Sequence, residues 1–137
     1  MSTVNLYVET NINGVGKKTG KYIYLLETET SKGLATVHAI EEIEATRDIA
    51  ELTAVAAAVK RLTNKADVLN IYVSSSSLEV NLSRYLSLWA ANNFCRADGR
   101  RLSQWELWKI VHENTSKIDI RIYNKTHSYS NWLLKQL

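Results

Sequence analysis

The sequence predicts one α/β domain, a mixed five-stranded sheet with helices on its faces. Two observations carry this. Three strand-patterned segments, separated by turn-rich stretches, precede any helical pattern. From there strand and helix alternate, giving the order β-β-β-α-β-α-α-β-α. Hairpin-linked strands pair antiparallel and strand–helix–strand units pair parallel, so the sheet is mixed. With no internal repeat and no linker, residues 1–137 read as a single domain.

Val4 to Glu9 alternates Val4, Leu6 and Val8 with Asn5, Tyr7 and Glu9, the mark of a strand that ends on a carboxylate. Thr10 to Lys21 is rich in Gly, Asn and Lys. It fails as a phosphate loop, because Asn11 stands where a glycine is needed and Lys18 where Ser or Thr is needed. It fails as a dinucleotide loop at Thr19, and the next segment, Tyr22 to Glu29, is a strand. The loop is therefore expected to join a hairpin. Thr28 to Gly33 reads as a second turn and Leu34 to Ile40 as the third strand, holding a lone His38 that suits packing better than ligation. Glu41, Glu42 and Glu44 read as a surface edge.

Asp48 to Thr63 is the clearest helix, with Ile49, Leu52, Val55, Ala56, Val59 and Leu62 at helical spacing. Asp48 and Glu51 have the spacing of a capping pair, and Glu51 either complements the helix dipole or faces the sheet edge where Glu9 ends. Leu69 to Val73 is a strand that stops on four serines, Ser74 to Ser77. In α/β folds such a strand end lies at the edge where ligands bind, and serines there also cap helices. A helix over Leu78 to Phe94, an arginine-bearing loop over Cys95 to Leu102, and a helix over Ser103 to Asn114 opened by a Ser103–Glu106 capping box follow. Lys117 to Tyr123 is the last strand and Asn131 to Leu137 the last helix.

A chain of 137 residues with 45% apolar and 23% charged residues needs no disulfide or structural metal to hold a core. One cysteine, Cys95, suits a reducing compartment. MSTVNLYVE lacks the pattern of a signal peptide, and no apolar run reaches the ~20 residues of a membrane span. An intracellular, cytoplasmic protein with no membrane partner is expected. A net charge of +3 is mildly favourable to a polyanion.

Four stretches in order resemble ribonuclease H: AELTAVAAAVKRL (50–62), IYVSSSSL (71–78), WAANNFCRADGRRLSQWELWKIV (89–111) and NKTHSYSNWLL (124–134). The resemblance spans essentially the whole chain and implies an RNase H-like fold. It also implies an activity, cleavage of the RNA strand of an RNA–DNA hybrid by two divalent metals held on four carboxylates. Residue by residue, Glu9 matches the first-strand acid, which is an aspartate in the family, and Glu51 matches the helix glutamate. Ser74 stands where the fourth-strand aspartate belongs, Asn131 (or Ser130) where the last-helix acid belongs, and His127 matches the loop histidine. Arg47, Asp48 and Ile49 replace the polar residues that precede the helix glutamate.

Two of four acids are thus neutral, so two-metal hydrolysis is expected to be lost or severely weakened. The implied cofactor is none, or weakly bound Mg²⁺ or Mn²⁺ on Glu9 and Glu51. Lys17, Lys18, Arg96, Arg100, Arg101 and Lys125 are the candidates for phosphate contact, with Trp89 and Trp105 as scaffolding beneath the basic loop. The expected function is nucleic-acid binding with little or no nuclease activity, the partner being an RNA–DNA hybrid or another nucleic acid. Two alternatives remain open. One is an active hybrid nuclease with an altered metal site, supplied by Glu79 or Asp119; the other is a protein-interaction module.

Overall fold

The computed structural model describes residues 2–62 and 66–137. Five strands form one sheet in the order β3-β2-β1-β4-β5. β1 (Thr3–Thr10) is central, antiparallel to β2 (Lys18–Thr30) and parallel to β4 (Val68–Tyr72). β3 (Gly33–Ala45) closes one edge antiparallel to β2, and β5 (Asp119–Tyr123) closes the other parallel to β4. The fold has the mixed, helix-flanked architecture that the element order predicts.

The period of two in β1 sends its residues to two cores. Val4, Leu6 and Val8 join Leu52, Val55 and Val59 of α1 (Arg47–Val59) in the main core, which Trp108 and Val111 of α4 (Trp105–Thr115) complete. Tyr7 points the other way and packs with Ile23, Leu25 and Leu133, the last from α5 (Ser130–Gln136). The chain after β4 enters α2 (Ser76–Val80), passes through a π-helical turn at Asn81–Tyr85, and continues as α3 (Leu86–Ala91). Asn93 and Phe94 then take left-handed backbone (φ 53° and 57°). Asparagine tolerates that region; Phe94 is held there by its burial in the main core and by its N–H bond to the Trp89 carbonyl at 2.7 Å.

Several boundaries differ from the sequence expectation. β2 starts at Lys18, so the turn-rich loop shortens to 11–17. β3 runs on to Ala45, because Glu41, Glu42 and Glu44 pair with Tyr22, Lys21 and Thr19 instead of leaving the sheet. The expected helix end at Thr63 lies outside the described residues. Thr46 caps α1, its hydroxyl accepting from the Ile49 N–H at 3.4 Å, and neither Asp48 nor Glu51 caps that helix. The Ser103–Glu106 capping box does not form: Gln104 is left-handed (φ 61°), and its carbonyl receives the N–H groups of Leu107 and Trp108.

A second feature escaped periodicity. Glu27 is buried on the α5 side of the sheet, where its carboxylate accepts from Asn5 Nδ2 (2.9 Å), Tyr129 Oη (2.5 Å) and, more weakly, Tyr7 Oη (3.5 Å). Asn70 Nδ2 extends the network by donating to Asn5 Oδ1 at 2.9 Å. A buried carboxylate left short of a donor costs more than an ordinary hydrogen bond gains. Tyr129→Phe is expected to destabilise the fold by about 1–3 kcal/mol, read as a lower urea midpoint with an unchanged slope. An unchanged midpoint would show that water replaces the phenol without cost.

Candidate functional site

Parallel pairing brings the carboxyl ends of β1 and β4 side by side, with Tyr7 opposite Tyr72. Two residues further along each chain stand Glu9 and Ser74. α1 packs on β1 and delivers Glu51, fully buried at 0% exposure, to the same place. Ser74 joins all three. Its N–H donates to Glu51 Oε1 at 2.8 Å, and its hydroxyl lies 3.4 Å from Glu9 Oε2. The Ser75 N–H adds a second bond to Glu51 Oε1 at 3.3 Å.

Ser75 is equally engaged. Its hydroxyl accepts from the Leu78 N–H at 3.1 Å, capping α2, and donates to Asp48 Oδ1 at 2.5 Å. The other Glu51 oxygen, Oε2, has no hydrogen-bond donor among the described residues; Arg47 Nε approaches it at 3.4 Å, a charge contact outside hydrogen-bond geometry. Burial pushes the Glu51 carboxyl above its usual range, against the pull of the two serine N–H groups and Arg47. Glu9 is also raised, first by burial and then by the Glu51 charge, with Ser74 and Arg47 opposing.

A cavity of about 360 Å³ opens over these groups. Glu9, Glu51, Ser74 and Arg47 line it, with Thr10, Asn11 and Asn13 from the β1–β2 connection and Leu134 and Leu137 from the C-terminal segment. Arg47 and the two asparagines were not singled out as site residues. Arg47 was nonetheless legible, since an arginine four residues before a helical glutamate faces it across one turn. The asparagines carry no such signal, because the loop's path sets their position.

The other expected site residues lie elsewhere. Asn131 is exposed in the first turn of α5 and does not line the cavity, where α5 instead presents Leu134. The Ser130 hydroxyl accepts from the His127 N–H at 2.9 Å. His127 lies against Tyr7 and Tyr72, with ring centroids 4.4 and 5.5 Å away, and its Nδ1 accepts from the Tyr129 N–H at 3.2 Å. Burial holds its imidazole below the usual range. Asp119 begins β5 opposite Val68, at the far end of the sheet from Ser74, and pairs with Arg121 at 2.9 Å. Glu79 does not line the cavity either.

The basic candidates are spread over the surface. Lys17 pairs with Glu44 at 3.5 Å, and Lys18 Nζ donates to the Asn13 carbonyl at 2.6 Å. Arg100 pairs with Asp98 at 2.8 Å, whereas Arg101 lies 4.0 Å from the centre of the Trp105 ring. Arg96 is exposed on the same loop, and Lys125 sits over Tyr123 at 5.0 Å. Trp89 is partly buried and meets Trp108 edge-on at 5.0 Å, which makes it scaffolding.

No protein-family model matches the chain. Over 76 residues, 56% of its length, it is 30% identical to a ribonuclease H of Rickettsia bellii, of which the match covers 48%. A ribonuclease HI of Rickettsia prowazekii is 28% identical over the same length. The chain spans about half the length of the curated relatives it matches. Among solved structures, LC9-RNase H1, described as a type 1 RNase H with the type 2 active-site motif, superimposes with a TM-score of 0.74 at 15% identity, covering 98% of this chain and 70% of that one. A foamy viral protease-reverse transcriptase in complex with RNA/DNA hybrid gives 0.61 at 19% identity, covering 96% of this chain and 18% of that one. By sheet order and helix placement the chain has an RNase H-like fold, and over 76 residues its sequence is similar to that of ribonuclease H.

Proposed function

We propose that this chain is an intracellular nucleic-acid-binding module in which the two-metal hydrolysis of ribonuclease H is lost or severely weakened. One observation carries this reading: Ser74 fills the end of β4 and hydrogen-bonds to both carboxylates of the cavity. Two hard divalent cations bring a charge of about +4 and call for several carboxylate oxygens. The cavity offers two carboxylates, one arginine and neutral oxygens. Among the described residues, no cluster of three or more His, Cys, Asp or Glu side chains is arranged to hold a metal. This donor set does not fit a metal pair, so no hydrolytic step is assigned to it.

Binding draws on different residues. Arg96 and Arg101, on the exposed loop before α4 and away from the two carboxylates, are the cations that would meet phosphates. A structural neighbour was solved with RNA/DNA hybrid, which makes a hybrid the first ligand to try. The expected result is salt-dependent binding of labelled hybrid in EDTA, with Arg101→Ala lowering the salt slope by about 1. Metal-dependent cutting that vanishes in Glu51→Gln would overturn the proposal. Absence of binding even at low salt would favour a protein-interaction module.

A second prediction concerns Ser74. Ser74→Asp sets a third negative group against two partly buried carboxylates, and at pH 7 without metal it is expected to cost about 1–3 kcal/mol. Millimolar Mn²⁺ should then raise the melting temperature of the variant and leave that of the parent unchanged. Equal responses in both proteins would place the metal-responsive group elsewhere.

The third concerns pH. A carboxyl whose pKa rises on folding binds its proton more tightly in the folded state. Its stabilising contribution is full below the ordinary value of 4.5 and is lost as pH climbs through the raised folded value. Thermal unfolding followed upward from pH 4.5 is expected to show this decline, and Glu9→Gln to flatten it. A decline unaltered by Glu9→Gln would mean that Glu9 does not carry it.

A further inference from the structure

The two edges of the sheet are built differently. β5 has 5 residues and carries Asp119 and Arg121. β3 has 13 residues, and Gly33–Ile40 contains no Asp, Glu, Lys, Arg or Pro. Natural edge strands are usually short, charged, bulged or covered, because an unpaired row of N–H and C=O groups recruits another strand. β3 pairs with β2 without a bulge from end to end. Its apolar side chains also stay in solvent: Leu34 is 64% exposed, Val37 42% and Ile40 36%. Leu34 and Ile40 share the α5 face with His38, and Val37 lies on the opposite face; Trp132 of α5, itself 40% exposed, meets His38 edge-on at 5.2 Å.

We propose that β3 pairs antiparallel with β3 of a second copy of this chain, about a two-fold axis through Val37, joining two five-stranded sheets into one. The sequence of the edge is complementary to itself in that register. Val37 faces its own mate, Leu34 faces Ile40, Ala35 faces Ala39 and Thr36 faces His38. Lys32, in the turn before the strand, meets Glu42, and symmetry repeats that ion pair. Glu41 faces Gly33, and Glu44 runs past the hairpin end of the partner strand, so no two acids oppose each other.

The register is selective. A two-fold axis normal to the sheet keeps like faces together, so the pairing slides only in steps of two residues. One step one way sets Leu34 against Glu42; one step the other way sets it against His38. Of these three registers, only the one with the axis at Val37 gives both Leu34 and Ile40 an apolar partner. The two sheets then share one set of cross-strand contacts, the unit that stabilises a sheet.

Sedimentation of the full chain from micromolar to several hundred micromolar tests this. A reversible dimer is expected. Val37→Lys, which sets two lysines across the axis at an already exposed position, should give a monomer with unchanged circular dichroism. Lys32→Glu should weaken the dimer by about tenfold, since both symmetric pairs turn repulsive, and Lys32→Glu combined with Glu42→Lys should restore it. A monomer at every concentration, a dimer indifferent to Val37→Lys, or a charge swap that fails to restore association would each overturn the proposal.

Discussion

The buried Glu51 carboxylate, held by the backbone N–H groups of Ser74 and Ser75, is the contact on which the cavity depends. A carboxylate at 0% exposure is costly unless donors compensate it. Here the donors are main-chain groups at the point where β4 gives way to α2, and no substitution other than proline removes a main-chain N–H. The contact therefore ties α1 to the end of β4 with any residue but proline at 74. It also fixes the Ser74 backbone, which puts the hydroxyl within reach of Glu9, and fixes Ser75, whose hydroxyl caps α2 and reaches back to Asp48. One carboxylate thus organises the meeting point of a helix, two strand ends and a second helix.

The same contact explains why the cavity keeps its shape with few charges. A site built to grip cations holds its carboxylates apart and leaves their oxygens free. In this cavity Glu51 Oε1 is occupied by two N–H groups, Oε2 faces Arg47, and one Glu9 oxygen faces the Ser74 hydroxyl. The arginine offsets part of the repulsion between the two acids. Burial still holds both carboxyls above their usual range, with the Glu51 charge adding to the effect on Glu9 and the Asp48 charge to that on Glu51.

Periodicity carried the sequence reading where each element has one buried face. β1, α1 and β4 alternate or recur cleanly, and the sheet order follows from their sequence order once β1 lies at the centre. The meeting of Glu9, Glu51 and Ser74 was legible because all three lie at strand or helix ends that the topology brings together. Boundaries were less legible where pairing overrides composition: Glu41, Glu42 and Glu44 look like a surface run, yet β2 supplies partners that keep them in the sheet. Capping was misread twice for a related reason. Asp48 and Glu51 have the spacing of a cap, but a competing hydroxyl at Thr46 takes that role and frees both acids for the serines. Glu27 and Asn131 show the limit of one-dimensional pattern, since the burial of one and the exposure of the other are set by where α5 lands on the sheet.

The placement of His127 follows from the pleat. Tyr7 and Glu9 point to the same side of β1, two residues and so about 7 Å apart along the strand. Tyr7, Tyr72 and Tyr123 are neighbours in register on β1, β4 and β5, and their rings stack at 4.8 and 5.0 Å into a row across the sheet. His127 rests on this aromatic row, one pleat short of the polar row that Glu9 and Ser74 begin. The Tyr129 N–H holds the imidazole from behind, and burial favours its neutral form. His127 thus covers an aromatic floor on the sheet row that lies between the row of Asn5 and Glu27 and the row of Glu9.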